Sequence, residues 1–289
     1  MQPIIGVNLP HCQTIEGLRE WLTAFKQDGF DLVEITLDTF PLIIGAKICR
    51  KWVDVVKEEL IQHQLLYSAH IGRGVDLRDP DIKLHREVLL ASIDICKELG
   101  ADPLVLHYEE QSKNRITEQQ FQDGHREAAD YAGEMGITLC LENIEVEVVD
   151  PVVELVDKIG SKHLRLALDT GHTYLAAGYF GFDFLEAAAK MLPYLGHVHL
   201  SDNVGIFEEL RMTDRKAYDA LPVGYRRTFG RGDIHVPPYY GTIPFDALFA
   251  MLSGYNGKYV CEYTSESFVP LNGDIQRTVR QQLLASAVP

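Results

Sequence analysis

Acidic and histidine side chains recur at the ends of short apolar runs in this chain of 289 residues. In the segment LDTGHTYLAAGY, Asp169 ends such a run and His172 follows three residues later. Glu142 in CLENI, His199 in HVHLSD and Glu262 in YVCEYT hold comparable positions. Imidazole and carboxylate groups ligate divalent metal ions, and buried charges must be paired or bind cations. Glu142, Asp169, His199 and Glu262 are therefore predicted to form a metal site.

Further polar residues stand at the ends of other apolar runs. Glu34 ends the second predicted strand, His70 the third and His107 the fourth. The long connection after the seventh strand adds Asp233 and His235 in GRGDIHVPP. Taken singly, a histidine at a strand end can cap a loop, and Glu34 can pair with a neighbouring cation. As a set, these positions favour a shared site.

The seventh predicted strand carries two histidines, His197 and His199. Because alternate residues of a strand point to the same face, both point the same way. The residues alone therefore leave open which of the two faces a metal ion.

The elements that must position these side chains alternate along the whole chain. About eight apolar strand candidates, the first at 3–9, are each followed by a helical segment with 3.6-residue periodicity. Strict alternation predicts parallel pairing through right-handed crossovers. We predict a (β/α)8 barrel over residues 1–289 as one domain, with a long polar loop at 203–242 after the seventh strand. A doubly wound open sheet is the competing architecture, but no glycine-rich dinucleotide motif follows the first strand.

In such a barrel, the carboxyl ends of all eight strands meet on one face, where the chemistry is found. The scattered polar residues are therefore expected to meet in one cup. Thr170 and Gly171 are expected to form a tight exit from the sixth strand, so that His172 reaches back over this cup.

The bulk composition narrows the choice of partners. A formal net charge of −15 and a pI near 5.1 disfavour broad binding to nucleic acid or anionic membranes, although a local basic groove stays possible. No apolar run approaches the roughly 20 residues of a membrane helix. The five cysteines are widely spaced without a CxxC motif, which predicts reduced thiols in a cytoplasmic protein.

The segments CLENI, LALDTGH, HVHLSD and YVCEYT resemble the metal-bearing strand ends of the xylose isomerase-like barrel superfamily. This superfamily includes sugar isomerases, sugar epimerases and endonuclease IV, and the resemblance covers essentially the whole chain. It implies that Glu142, Asp169, His199 and Glu262 hold one divalent ion. It also favours His199 over His197, because the family's ligand is the histidine of HLSD.

The resemblance extends to endonuclease IV, whose members use three zinc ions. It implies that a trinuclear site would add His70, His107, His172, Asp233 and His235 as ligands. Three segments depart from the endonuclease IV pattern. LENIEVEVVD replaces a glycine-rich loop, and LHYEEQ and AHIGRGVDL also differ from the endonuclease segments at these places. The segment DIHVPPYYGTIPFDAL in turn resembles sugar isomerase-like relatives that share this DxH.

The resemblance implies two kinds of chemistry. The first is a metal-dependent sugar or sugar-phosphate isomerase or epimerase, using Mn, Co, Mg or Zn and an enediolate. In this reading Glu142 and Glu262 transfer the proton, while His172, His107 and His70 bind the substrate. The alternative is a three-zinc phosphodiesterase acting on abasic DNA. A metal-binding barrel without catalysis is a third possibility, which the intact acid–base pair disfavours.

The loop after the seventh strand is rich in basic residues. Its role stays open among binding DNA, a sugar phosphate or a neighbouring subunit in a homo-oligomer, and a solvated surface without a binding role. The basic residues are Arg211, Arg215, Lys216, Arg226, Arg227 and Arg231.

Overall fold

The computed structural model describes residues 2–71 and 74–286, and its centre is a closed barrel of eight parallel strands. Each strand pairs with its neighbours in chain order, and the last pairs with the first. This confirms the predicted (β/α)8 barrel. The strands, named β1 to β8, are Ile4–Asn8, Leu32–Thr36, Leu66–Ile71, Ala101–His107, Leu139–Glu142, Leu164–Asp169, Leu195–Leu200 and Lys258–Cys261.

Helices surround the barrel and also fill the long loop after β7. A two-stranded hairpin, Ile43–Ile44 with Lys47–Ile48, precedes the second helix. No described helix is long and apolar enough to span a membrane. The helices, named α1 to α12, are Ile15–Asp28, Arg50–His63, Ile82–Leu99, Arg115–Met135, Asp150–Ile159, Thr170–Phe180, Phe184–Met191, Leu210–Thr213, Arg215–Asp219, Val223–Phe229, Phe245–Met251 and Asn272–Ser286.

Local sequence signals fix where the outer helices begin and end. The α3 helix begins after Asp81, whose carboxylate accepts a hydrogen bond from the Leu84 N–H. It ends at Gly100, whose φ of 69° lies in the left-handed region that glycine tolerates. Because β4 starts at the next residue, the chain returns to the barrel directly after Gly100.

The barrel strands are buried on both faces, as expected of a parallel sheet covered by helices. Most of their side chains are apolar and form one continuous core with the inner helix faces. All five cysteines are unpaired, as predicted, and four of them are buried. Polar side chains enter this core near the carboxyl ends of the strands, where the candidate site lies.

The chain after β6 differs from the prediction. A helix, α6, begins at Thr170 instead of a tight turn at Thr170 and Gly171. Asp169 caps it, because its Oδ1 accepts a hydrogen bond from the His172 N–H at 2.6 Å. Gly171 leaves room for Ser201, whose Oγ would lie 2.3 Å from an added Cβ.

The long connection after β7, residues 203–242, covers the carboxyl end of the barrel and is called the roof segment. It contains the three short helices α8, α9 and α10, where the sequence predicts a polar loop. Its two ends meet, because the Thr242 N–H donates to the Asn203 carbonyl at 2.8 Å.

Candidate metal centre and active site

The carboxyl ends of six consecutive strands bring the predicted ligands together. His107, Glu142 and Asp169 are the last residues of β4, β5 and β6. His70 and His199 stand one residue before the ends of β3 and β7, and Glu262 directly follows β8. The roof segment adds Asp233 and His235, and the first turn of α6 adds His172. The cup expected from the sequence is therefore present.

These residues fall into three groups, within each of which one potential ligand atom per residue lies within 4.8 Å of the others. Glu142 belongs to two groups, so that its carboxylate lies between two possible ion positions. The central group is Glu142, Asp169, His199 and Glu262; the side group is His70, His107 and Glu142; the roof group is His172, Asp233 and His235.

In the central group, the carboxylates surround one ring nitrogen of His199. His199 Nδ1 lies 2.9 Å from Glu262 Oε2 and 3.3 Å from Glu142 Oε1. The Asp169 carboxylate is held in place by Ser201, whose hydroxyl donates to both of its oxygens at 3.2 Å. Asn143 fixes the Asp169 backbone by accepting its N–H and donating to its carbonyl. These side chains therefore converge on one point from several strands.

The donor atoms of the central group fit a metal ion better than they fit one another. His199 Nδ1 and Glu262 Oε2 are buried, yet neither has a partner with hydrogen-bond geometry despite their 2.9 Å separation. A buried polar group without a hydrogen bond costs about 1–3 kcal/mol. Three carboxylates and one imidazole form a ligand set for Mn, Co, Mg or Zn to different degrees. The residues present therefore fit a divalent ion.

Burial and mutual charge set the pKa values of the metal-free central group. Burial would raise the pKa of Glu262, but His199 lowers it to about 2. Burial would lower the pKa of His199, but Glu262, Glu34 and Glu142 raise it well above its usual value. Burial raises the pKa of Asp169 to about 7, partly offset by His172. Without an ion, a proton on His199 therefore balances the carboxylates.

The side group is built on Glu142. His70 Nε2 lies in hydrogen-bond contact with Glu142 Oε2 at 3.0 Å, and His107 Nε2 lies 3.6 Å from the same oxygen. Burial lowers the pKa of His107 to about 4, although Glu142 opposes this shift. His107 is therefore neutral above this pH and carries a free lone pair, as a metal ligand must.

The roof group joins the barrel to the roof segment. His235 Nε2 lies 2.7 Å from Asp233 Oδ2, and its ring lies 5.8 Å from that of His172. Burial would lower the pKa of His235, but Asp233 raises it to about 10. The φ of His235 is 40°, which is uncommon outside glycine. Such backbone strain occurs most often at functional sites.

Glu145, which the sequence reading did not single out, positions His172. Its buried carboxylate lies 3.0 Å from His172 Nδ1 and also pairs with Arg211 from the roof segment. His172 Nε2 is thereby turned towards Glu142, at 3.8 Å from Oε1. The only sequence signal was a second acid in LENIEVEVVD, and the direction of its side chain depends on the loop after β5.

Glu34 and His197 lie below the cup, which corrects the expectation that Glu34 ends its strand. Glu34 is in the middle of β2, and its partners are two histidines. Its carboxylate contacts His197 Nε2 at 3.0 Å and His199 Nε2 at 2.9 Å across the barrel interior. Ser68 donates to it at 2.9 Å. His199 is therefore the histidine that faces the central group, and His197 lies one layer deeper.

A cavity of about 170 Å³ lies between the three groups and the roof segment. Arg211, Arg215 and Arg226 line it from the roof side, whereas Lys216, Arg227 and Arg231 do not. It is smaller than the roughly 300–1,000 Å³ of pockets for drug-sized ligands. The other residues that line it are His70, His107, Glu109, Ile144, Glu145, His172, Tyr218, Asp233, His235 and Glu262.

Comparisons with known proteins agree on the architecture. The family model of the xylose isomerase-like TIM barrel matches residues 22–284. No curated protein matches the sequence. One similar solved structure is a D-tagatose 3-epimerase-like protein, with a TM-score of 0.73 and 18% identity over 100% of both chains.

Two further solved structures are similar over nearly the full chain. D-allulose 3-epimerase from Methylomonas sp. in complex with D-allulose has a TM-score of 0.70 and 18% identity over 97% of each chain. A xylose isomerase-like TIM barrel protein from Mycobacterium smegmatis in complex with magnesium has a TM-score of 0.73 and 17% identity, over 99% of this chain and 98% of that one. At these identities the likeness establishes a shared fold.

Proposed function

The chain belongs to the xylose isomerase-like TIM barrel family, and from this premise we propose that it is a divalent-metal-dependent isomerase or epimerase of a small sugar or sugar phosphate. The observation that carries the proposal is a small covered cavity above an ion-binding group that contains two glutamates. The similarity to structures named as sugar epimerases, one of them with D-allulose bound, supports the same class of substrate.

The two glutamates of the central group would transfer the proton. Glu142 and Glu262 approach His199 Nδ1 at 3.3 Å and 2.9 Å, so both reach the same point from β5 and β8. A divalent ion held there would polarise the substrate carbonyl and stabilise the charge of an enediolate. One glutamate would remove the proton next to the carbonyl, and the other would return a proton on the same or the adjacent carbon.

The remaining polar residues would orient the substrate and exclude water. His172 is fixed by Glu145, and His70 and His107 line the cavity on the β3 and β4 side. The roof segment covers the cup, which favours a small molecule over a DNA strand. Because Mn, Co, Mg and Zn all suit a His–carboxylate site to some degree, the metal is left as one of these four.

The test is solvent deuterium incorporation in D2O with a panel of ketoses and ketose phosphates. We expect the product to carry deuterium at the carbon that loses its proton, and we expect Glu262→Gln to lower turnover by roughly 100-fold or more. Glu266→Gln, an exposed residue four positions further on, is the matched control. If no sugar of the panel exchanges in protein loaded with each of the four metals, the proposal fails.

A second candidate, phosphoester hydrolysis at three zinc ions, is favoured by one specific observation. The side and roof groups, which an isomerase with one ion does not need, converge on the central group through Glu142 and His172. Three ions there would activate a water and neutralise the leaving oxygen.

Metal stoichiometry and products separate the two candidates. About three zinc ions per chain, with cleavage of a small phosphodiester or of abasic DNA and no deuterium at carbon, would establish the second. About one ion per chain together with exchange at carbon would establish the first.

A further inference from the structure

The roof side of the cavity is cationic, although the chain as a whole carries a net charge of −15. Of the residues that line it, Arg211, Arg215, Tyr218 and Arg226 come from helices α8 to α10, and Asp233 and His235 of the roof group line the same side. No Ser, Thr, Asn, Gln or Trp is among the described residues that line the cavity. A neutral sugar alone gives little reason for three arginines at this place.

The three arginines differ in how their charge is balanced. Arg211 pairs with the buried Glu145, and Arg215 pairs with Asp219 one turn further along the chain. Within the described part of the chain, no carboxylate oxygen lies within 4.0 Å of the Arg226 guanidinium. Arg226 therefore brings to the cavity a positive charge that is not tied up in a direct ion pair with a described carboxylate.

Arg226 is also held in a fixed orientation. Its Nη1 donates to the Tyr218 hydroxyl at 2.8 Å and to the Asp233 carbonyl at 2.6 Å. Its guanidinium carbon lies 4.9 Å from the centre of the Tyr218 ring. Its buried Nε has no hydrogen-bond acceptor. A stacked, pre-oriented guanidinium loses little side-chain entropy when it binds an anion.

Arg215 supplies a second positive charge at the edge of the same cavity. Its Nε lies 3.0 Å and 3.1 Å from the two carboxylate oxygens of Asp219, and its side chain is 37% exposed. An ion pair this exposed is weak, so Arg215 can turn towards an anion at little cost. Arginine binds phosphate oxygens through paired N–H groups, which makes a phosphate a suitable occupant.

We propose that Arg226 and Arg215 form a phosphate subsite in the roof segment, beside the roof group. This inference rests on the proposed function and deepens it, because it assigns a phosphorylated small molecule as the substrate. The phosphate can belong to a sugar phosphate that is isomerised or to a phosphoester that is hydrolysed. Both sources share the same recognition chemistry, and the experiment below distinguishes them.

The experiment measures the binding of inorganic phosphate to the full chain by isothermal titration calorimetry. It is done on protein as purified and again after treatment with a chelator, which removes ions that themselves bind phosphate. The variants are Arg226→Gln, Arg226→Lys and Arg215→Gln. Arg231→Gln is the matched control, because Arg231 is an exposed roof arginine that does not line the cavity.

We expect Arg226→Gln to weaken phosphate binding about tenfold or more and Arg215→Gln to weaken it severalfold, with Arg231→Gln unchanged. Arg226→Lys keeps the charge but not the paired N–H groups, so its affinity should be intermediate. Circular dichroism and melting temperature check that each variant folds. If Arg226→Gln does not fold, Arg226→Lys and Arg215→Gln carry the test. Equal phosphate affinity in all folded variants and wild type would overturn the subsite.

Kinetics separate a failed subsite from a failed function. If a ketose phosphate is turned over with the same KM by wild type and Arg226→Gln, the subsite is wrong while the isomerase proposal stands. If the arginine variants lose phosphate binding but wild type exchanges no sugar proton, the subsite stands and the isomerase proposal fails. A KM raised for a ketose phosphate supports the first source, and one raised for a phosphoester supports the second.

Discussion

The two faces of the cavity are built in different ways. The barrel face comes from the ends of β3 to β8, where backbone pairing fixes each ligand and the opposing charges lie mostly within the three groups. The roof face comes from three short helices with exposed apolar and basic residues, including Phe229 at 58% and Tyr225 at 50% exposure. Only Asp233 and His235 pass from the roof segment into an ion-binding group.

Under the proposed function, this difference means that ion binding and substrate choice are encoded by separate parts of the chain. The barrel ligands depend on strand register, which any change of fold would disrupt. The roof arginines depend on a few side-chain contacts, such as Arg211 with Glu145 and Arg226 with Tyr218. A change in the roof segment should therefore alter KM more than metal content, and a change in the barrel should do the reverse.

The largest expected effect is that of Glu142→Gln, because Glu142 belongs to two groups of the barrel face. We expect roughly 1,000-fold lower turnover and fewer bound ions per chain. Glu147→Gln is the control, since Glu147 lies in the loop after β5 and belongs to none of the three groups. Elemental analysis and a turnover assay measure both quantities. Full metal content in Glu142→Gln would contradict the shared role of this carboxylate.

The next effect concerns the layer below the cup. Glu34 Oε1 lies 2.9 Å from His199 Nε2, and its charge favours the ring orientation that leaves Nδ1 towards the central group. Partners behind a metal ligand typically contribute 10–100-fold to metal affinity, and we expect about this loss in Glu34→Gln. Competition with a chelating dye measures it. An unchanged affinity would mean that strand β7 alone orients His199.

The dependence on pH should distinguish the roof group from His107 of the side group. The pKa of His235 is raised to about 10, so this ring is protonated at neutral pH in the metal-free protein and an ion must displace its proton. Burial would lower the pKa of His172, but Asp169 and other nearby carboxylates raise it well above its usual value. The affinity of the roof group should therefore rise about tenfold per pH unit for each of these protons that an ion displaces.

His107 should add no such dependence, because its pKa of about 4 leaves it neutral throughout this range. Zinc titrations between about pH 6 and 8.5, in two buffers of different ionisation enthalpy, count the protons released. If the most weakly bound ion releases no proton, the assignment of the roof group is wrong.

The smallest effect is expected for Arg211→Lys. A lysine can keep the charge near Glu145 but not the directed N–H contact that connects α8 to the loop after β5. KM should rise a few-fold, and amide exchange in α8 and α9 should become faster, with metal content unchanged. Arg231→Gln serves again as the control. A loss of bound metal in Arg211→Lys would show that the two faces are not independent.

The barrel and the meeting place of most candidate ligands could be predicted from the sequence. Alternating apolar runs identify the strands, and the carboxyl ends of parallel barrel strands all lie on one face. This is why the positions of His107, Glu142, Asp169 and Glu262 could be predicted. Glu34 was misplaced because a strand end read from the sequence is uncertain by two residues, which is enough to move a side chain one layer down.

Other features of the fold and of the candidate site depend on tertiary contacts that no sequence pattern indicates. Glu145 is set by the conformation of the loop after β5. The roof helices α8 to α10 are four to seven residues long, too short for a clear periodicity. The strands of the hairpin, Ile43–Ile44 and Lys47–Ile48, are also too short to show an alternating pattern. A single domain over 1–289, a cytoplasmic location and a homo-oligomer stay predictions.

Asp202, the residue just before the roof segment, has a consequence for how this protein family can diversify. Its Oδ1 accepts the N–H groups of Asn203 and Ile243 at 2.7 and 3.1 Å, and its Oδ2 accepts that of Gly241 at 2.7 Å. One carboxylate therefore binds both ends of the roof segment. Because these ends are held close together, the length and sequence of the roof segment can change with little entropic penalty. The roof segment could be replaced, in evolution or by design, without a change to the barrel.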